Sequence, residues 1–388
     1  MYNNATTSVN QFVYSVDPNV NDFIITFKTE DNVILSYRKQ SLSAPYEFLV
    51  LLHKKVVMFE KVTIKIEVLY LNHIKPIVTD IMGSTQHVVY TGNLCFYSPY
   101  ETLKLASQIL FNSLENLQIS HISKHITKKS LKYFHKNVKP YTFVLLKMVY
   151  SDSNPFFRIT QLERTIDVSH YGKIGVEDKI TLHNEGRKFF GTVDIHQNPQ
   201  HKKASGWFYT HLPASAENIQ YKDEIGNSSK SKVFHYRNYK TLAFKPRYPL
   251  LSGWKTVYIL KYQVPTIEYL YRLDAFRFKL QMRTVDHILN DVVTKEALVK
   301  IVLPESAIGV KVKIPDQFVS RLDEKSFSNL NRHIIVLNGS NVYENQVDDF
   351  VVEYFYSQYY LFRVPFTYSI FIQCFFIVII FFVHVTID

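Results

Sequence analysis

The sequence predicts a mainly β protein with some α: two β-sandwich-like domains followed by one C-terminal transmembrane helix. Three observations carry this reading. Short segments alternate apolar and polar residues. Val62, Ile64, Ile66, Val68 and Tyr70 share one face, as do Phe276, Phe278, Leu280 and Met282, and Val310, Val312 and Ile314. A period of two marks half-buried antiparallel strands. Tyr (27) and Phe (29) are abundant while Gly (11) is scarce, a composition that suits strands. Finally, Val364 to Val385 contains no Asp, Glu, Lys or Arg, and about 20 apolar residues at 1.5 Å each span a hydrocarbon core of roughly 30 Å.

Taken in order, residues 1–20 are an atypical or disordered N-terminus, with neither the basic n-region nor the apolar stretch of a signal peptide. Residues 21–152 form a first β-rich domain, in which Tyr100 to Leu117 is the best candidate for a long amphipathic helix. The turn cluster Ser151-Asp-Ser-Asn-Pro155 marks a boundary. Residues 153–358 form a second β-rich domain, residues 364–385 the span, and residues 386–388 a residual tail. A body of this length is too large for one hydrophobic core. A single span excludes channels, transporters and multispan enzymes. The cysteines, Cys95 and Cys374, provide no disulfide framework, since the second lies in the span.

The net charge of +11 is uneven. Six lysines (Lys124, Lys128, Lys129, Lys132, Lys136 and Lys139) fall between His121 and Pro140 without an acidic residue. A solvated lysine-rich loop explains them more simply than a patch for nucleic acid or anionic lipid. Tyr133 and Phe134 do not make a single-strand binding module, so no nucleic-acid partner is read.

Catalytic signatures are missing: there is no G-x-G-x-x-G, Walker A loop, G-x-S-x-G elbow or H-E-x-x-H. His121 and His125 could share a helix face but lack a third ligand, so no metal site is assigned. Asp348 and Asp349 read as a solvated turn rather than a general acid/base pair. No catalytic residue, cofactor or metal is therefore assigned.

Sequons are the better lead. N-x-[ST] occurs at Asn4, Asn227 and Asn338. Asn227 follows Asp-Glu-Ile-Gly, a turn-like exposed setting, and is the favoured acceptor. Within the span, Pro365 sits where a missing N–H is harmless. Gln373 lies near mid-depth, where a lone amide is costly against lipid; either it faces a partner helix together with Thr367 and Ser369, or it finds backbone acceptors. Arg363 beside the span would place the body in the cytosol by the positive-inside rule.

Several longer blocks carry a resemblance. They are Phe96–Tyr100 (FYSPY), the stretch from Gln161 (QLERTIDVSHYGKIGVEDKITLHNEG), Tyr221–Ser229 (YKDEIGNSS), Pro246–Thr256 (PRYPLLSGWKT), Glu268–Tyr271 (EYLY), Arg283–His287 (RTVDH) and Ile301–Glu305 (IVLPE). In matching order, over roughly residues 60 to 385, they resemble the ribophorin I family, accessory subunits of the oligosaccharyltransferase of the endoplasmic reticulum. The resemblance implies a single-pass type I protein of the endoplasmic reticulum membrane, with both β-rich domains in the lumen and residues 386–388 in the cytosol, against the pull of Arg363. It implies a non-catalytic role in the co-translational N-linked glycosylation of Asn in N-x-S/T, with a glycan on Asn227. The implied partners are the other subunits, including the multispan catalytic one, together with nascent polypeptides, the lipid bilayer and the translocon. The catalytic signature W-W-D-Y-G is absent. The competing reading is a membrane-anchored binding or adaptor protein unrelated to glycosylation.

Within the matched blocks, Pro246, Pro249 and Gly253 punctuate a loop. Trp254 is expected to be buried between layers. Tyr258, Tyr262, Tyr269 and Tyr271 are either core residues whose hydroxyls reach water or an exposed aromatic surface that grips a partner. Gly253, Trp254, Tyr269, Tyr271 and Gln373 are the structural or interface candidates.

Overall fold

The computed structural model describes residues 8–20, 23–40, 46–71, 73–77, 86–110, 117–120, 125–127, 130–152, 154–186, 206–228, 230–290, 292–315, 318–323, 332–343 and 348–387. Strands dominate, and the apolar helix Arg363–Ile387 follows the last of them. The chain divides into two compact units between Asn154 and Pro155.

In the first unit, Val9–Ser15 pairs with Glu47–Val56, and Phe23–Thr29 pairs with Ile64–Tyr70. Phe12, Tyr14, Phe27, Phe48 and Val50 meet in one buried cluster. The Phe27 ring stands edge-on to Tyr14 at 5.6 Å, a favourable aromatic geometry. Farther along, His87–Asn93 lies between Ile74–Ile77 and Leu145–Ser151.

Three expectations fail here. Val9–Ser15, within the residues 1–20 read as an atypical or disordered N-terminus, is a paired strand. Residues from Tyr100 do not form a helix: Thr102–Leu110 is a strand paired with Ser130–Val138. Leu105, Ser107 and Ile109 point inward while Lys104, Ala106 and Gln108 are exposed. Pairing with a strand distant in sequence overrides the helix propensity of Leu, Lys and Ala. Nor is the lysine-rich segment a loop throughout, since Ser130–Val138 is that partner strand. Lys132 and Lys136 are exposed on it with Phe134 between them, whereas Lys124, Lys128 and Lys129 lie outside the described residues.

The second unit is built on an eight-stranded sheet. Its order is Gly226–Asn227, Glu217–Asp223, Lys255–Pro265, Lys173–Asn184, Phe157–Asp167, Thr294–Val302, Ile334–Val342 and Phe318–Asp323. Every neighbouring pair is antiparallel except Phe157–Asp167 with Thr294–Val302. Two smaller sheets share its apolar core. One contains Phe208–Pro213, Tyr239–Phe244 and Ser231–His235; the other contains Leu270–Arg272, Arg277–Arg283, Asp349–Phe355 and Ile308–Lys313. Alternation is strict in Lys173–Asn184, where Ile174, Val176, Asp178, Ile180, Leu182 and Asn184 are all buried. One inward position, Asp178, carries a charge, and so does Arg164 on the next strand.

Gly339 shows how tightly this sheet packs. A Cβ there would stand 2.6 Å from Cε1 of buried Phe318 and 2.9 Å from Cγ2 of Val342. Gly339→Ala should therefore cost about 1–3 kcal/mol of stability through overpacking. Urea unfolding of the full chain checks this, with exposed Asn338→Gln expected within about 0.5 kcal/mol of wild type.

Candidate functional site

The densest chemistry of the second unit is buried. Arg164 and Asp178 face each other across the pair Phe157–Asp167 and Lys173–Asn184. Arg164 Nη1 donates to Asp178 Oδ2 at 3.0 Å, and its Nη2 donates to Asp286 Oδ2 at 2.8 Å and to the Tyr262 hydroxyl at 3.1 Å. The Tyr262 hydroxyl in turn donates a short hydrogen bond to Asp286. Arg164 and Asp178 are 1% and 2% exposed, so no substrate reaches them from solvent. Burial opposes the Arg164 charge, but Asp178 and Asp286 outweigh it and hold the guanidinium protonated. Burial pushes the Asp178 carboxyl up to about 6, against the pull of Arg164 and with help from Asp286. Two carboxylates share one cation, so one of them is under-compensated. Among the described residues, Arg164 Nε and the Tyr258 hydroxyl have no hydrogen-bond partner.

This cluster joins blocks that are far apart in sequence. Arg164 and Asp178 belong to the stretch from Gln161, and Asp286 belongs to RTVDH. Arg332 ties the same stretch to IVLPE: its Nε donates to the Leu303 carbonyl at 2.8 Å, and its Nη2 pairs with Asp167. Nearby, His170 stacks on Tyr356 at 4.1 Å and meets the Tyr354 hydroxyl at 3.1 Å. Burial lowers its pKa to about 4, so it is a neutral packing element at physiological pH. The sequence reading missed this network. The available signal was a charge at an inward position of two alternating strands, Leu162-x-Arg164-x-Ile166 and Val176-x-Asp178-x-Ile180.

The favoured sequon sits on a built turn. Asp223 Oδ1 accepts from the N–H groups of Ile225 and Gly226, at 3.0 and 2.9 Å, and Gly226 adopts φ 136, a conformation open to glycine. Arg247 grips both Asp223 oxygens, at 2.8 and 3.1 Å. That contact, with Gly226 and Ile225 adding to it, holds the Asp223 carboxyl below its usual range. The blocks YKDEIGNSS and PRYPLLSGWKT therefore touch. Asn227 is exposed beside this turn at one end of the large sheet. Asn338 is exposed in a strand paired on both sides. Asn4 lies outside the described residues, as does His121.

Trp254 corrects an expectation. It is 51% exposed, not buried between layers. Its backbone is what is held: the Asn184 N–H donates to the Trp254 carbonyl at 3.0 Å, and the Gly253 N–H donates to the Asn184 carbonyl at 2.7 Å. Gly253 takes φ 83, and the turn leaves the indole outside. Tyr258 and Tyr262 are core residues, but they are 1% and 2% exposed and their hydroxyls do not reach water. Tyr269 is half-buried, while Tyr271 is exposed and its hydroxyl donates to the Glu268 carbonyl at 3.0 Å. Ile267, Tyr248 and Tyr171 are exposed as well. Asp349 opens a strand of the smaller sheet and accepts from Gln281 Nε2 at 3.0 Å. Gln373 is exposed on the terminal helix, along with the apolar residues around it. Gly253, Trp254, Tyr269, Tyr271, Gln373, Asn227 and Asn338 are not among the described lining of a cavity in the first unit.

A family described as Ribophorin I matches residues 1–383. The chain is 31% identical over 332 residues to a Caenorhabditis elegans protein named dolichyl-diphosphooligosaccharide--protein glycosyltransferase subunit 1, covering 82% of this chain and 56% of that protein. It is 28% identical over 320 residues to subunit 1A of the same name from Arabidopsis thaliana, covering 79% and 51%. The chain thus spans about half the length of these curated relatives. Part of it is also similar to an M1 zinc metallopeptidase from Deinococcus radiodurans, with 10% identity and a TM-score of 0.32 over 52% of this chain and 44% of that one, too slight a likeness to bear on function. The match to one family over residues 1–383 places this chain in the ribophorin I family.

Proposed function

We propose that this chain is a non-catalytic subunit of a dolichyl-diphosphooligosaccharide–protein glycosyltransferase, supporting N-linked glycosylation while another, multispan chain makes the bond. The observation that carries this reading is the ordered match over about four fifths of the chain to proteins named as subunit 1 of that enzyme. The sealed Arg164 cluster agrees with it, because its charged groups are spent on holding strands together. The exposed Trp254 and Tyr271 suit contacts with other subunits or nascent chains, since aromatic residues anchor interfaces.

In this reading the two β-rich domains, residues 21–152 and 153–358, lie in the lumen of the endoplasmic reticulum. Residues 364–385 cross the bilayer as a type I span, close to the translocon. Asn227 carries a glycan, and Asn338 and Asn4 are further acceptors. Digestion of the expressed protein with an endoglycosidase should increase its gel mobility, and Asn227→Gln should remove most of that shift. A body cleaved by protease added outside sealed microsomes, with no glycan at any site, would favour the cytosolic adaptor instead.

Gln373 would face a partner helix within the membrane. Gln373→Leu should then lower recovery of the other subunits in co-purification by about fivefold, equivalent to about 1 kcal/mol of interhelical hydrogen bonding. Full recovery would mean that the amide is satisfied within its own helix.

A further inference from the structure

The first unit contains a cavity of about 800 Å³, the size range of small-ligand sites. Tyr14, Asp17, Tyr70, His73, Tyr90 and Asp152 line it. In a chain of net charge +11, its described lining holds two carboxylates and neither a lysine nor an arginine. The wall is built aromatic: the Tyr70 and His73 rings lie 5.5 Å apart, and those of His73 and Tyr90 lie 5.4 Å apart. Tyr90 folds over Gly92, where a Cβ would come within 2.4 Å of its hydroxyl, so a glycine at this position sets where that ring stands.

Asp17 is 5% exposed. Its Oδ1 accepts from the Asn19 N–H at 2.8 Å. Burial pushes the Tyr70 hydroxyl up to about 12 and raises Tyr14, Tyr90 and Tyr150 as well, so all four stay protonated and can donate. The cavity therefore offers carboxylate acceptors, hydroxyl donors and aromatic faces together.

From this geometry we propose that the cavity binds a neutral polyhydroxylated ligand, a carbohydrate of a few rings. Sugar hydroxyls both donate and accept, so they can satisfy Asp17 and the tyrosines at once. The C–H faces of the rings pack on aromatic walls. An anionic ligand would meet two carboxylates and no cation. A cationic side chain only donates, so it would use the carboxylates and the tyrosine oxygens but not the tyrosine O–H groups. The site stands apart from the accessory-subunit reading, which rests on the family match and makes no use of this cavity.

The test uses the full chain in a sugar-free detergent, with saturation-transfer NMR and calorimetry. The probes are maltotetraose, mannotetraose and chitotetraose, with trilysine and inositol hexaphosphate as charged comparators. At least one neutral sugar should bind with a Kd of about a millimolar. Asp17→Asn, Tyr70→Phe and Gly92→Ala should each weaken binding, Asp17→Asn by about tenfold as a hydrogen bond to a charged acceptor is lost, while Asn227→Gln should leave it unchanged. Near-UV circular dichroism identifies the variants that fold, and Tyr70→Phe and Gly92→Ala test the site if Asp17→Asn does not. Failure of all three sugars to bind, equal binding by every folded variant, or tighter binding of trilysine would overturn the proposal.

Discussion

Arg164→Met should destabilise the second unit by about 3–5 kcal/mol at neutral pH, the cost of removing one partner from a buried charge cluster. The loss is large because Asp178 and Asp286 would remain in the core with no cation. The pH dependence should also change. In the variant Asp178 loses the pull of Arg164 and resists ionisation further, so the folded state holds a proton that the unfolded state releases, and stability should rise as pH falls toward 4. In the wild type, Asp178 already sits near 6, above the roughly 3.9 of an unfolded aspartate. Folded chains then bind more protons than unfolded ones between about pH 4 and 6, and stability should fall as pH rises through that window. Asp178→Asn should flatten this slope while leaving Arg164 and Asp286 as a neutral pair, and it should cost less than Arg164→Met. Urea unfolding of the full chain in detergent, followed by intrinsic fluorescence from pH 4 to 8, measures all three proteins. Equal stability of Arg164→Met and wild type at pH 7 would refute the account.

Removing Arg363–Ile387 should move the body from the membrane pellet to the soluble fraction after carbonate extraction. Pro365–Phe382 is the one described helix long and apolar enough to cross a membrane, and it contains no charged residue. A single mid-span change should do much less. Cys374→Arg costs about 2.5–3.5 kcal/mol of insertion energy, a fraction of what the surrounding Phe and Ile residues contribute, so most of that variant should remain in the pellet. Pellet retention of the truncated chain would show that the body itself holds the bilayer.

Local pattern and long-range pairing were legible to different degrees. Of the expected face, Phe278, Leu280 and Met282 repeat every two residues and are buried, whereas Phe276, just before the strand, is exposed. The span followed from composition alone. Thr102–Leu110 was misread because its residues suit a helix and its partner strand lies about 30 positions away. Trp254 was misplaced because ring size suggested burial, whereas the turn at Gly253 and the Asn184 backbone contacts direct the ring outward. The Arg164 cluster was illegible as a contact. Asp286 lies 122 positions downstream, between the strands Arg277–Arg283 and Thr294–Val302, and no spacing rule links two charges that meet only in the folded chain. The sequons could be read as motifs, but the Asp223–Arg247 clamp under Asn227 depends on a turn and a loop coming together in three dimensions.

The one parallel pairing in the eight-stranded sheet has a consequence for how the chain is made. Phe157–Asp167 cannot acquire its neighbour Thr294–Val302 until about 130 further residues have been synthesised. At the usual pace of translation, that leaves an apolar strand edge open for several seconds to tens of seconds. Non-local closure of this kind is slow, so the nascent chain should depend on a chaperone or a docked partner shielding that edge, and refolding at high protein concentration should lose material to aggregates.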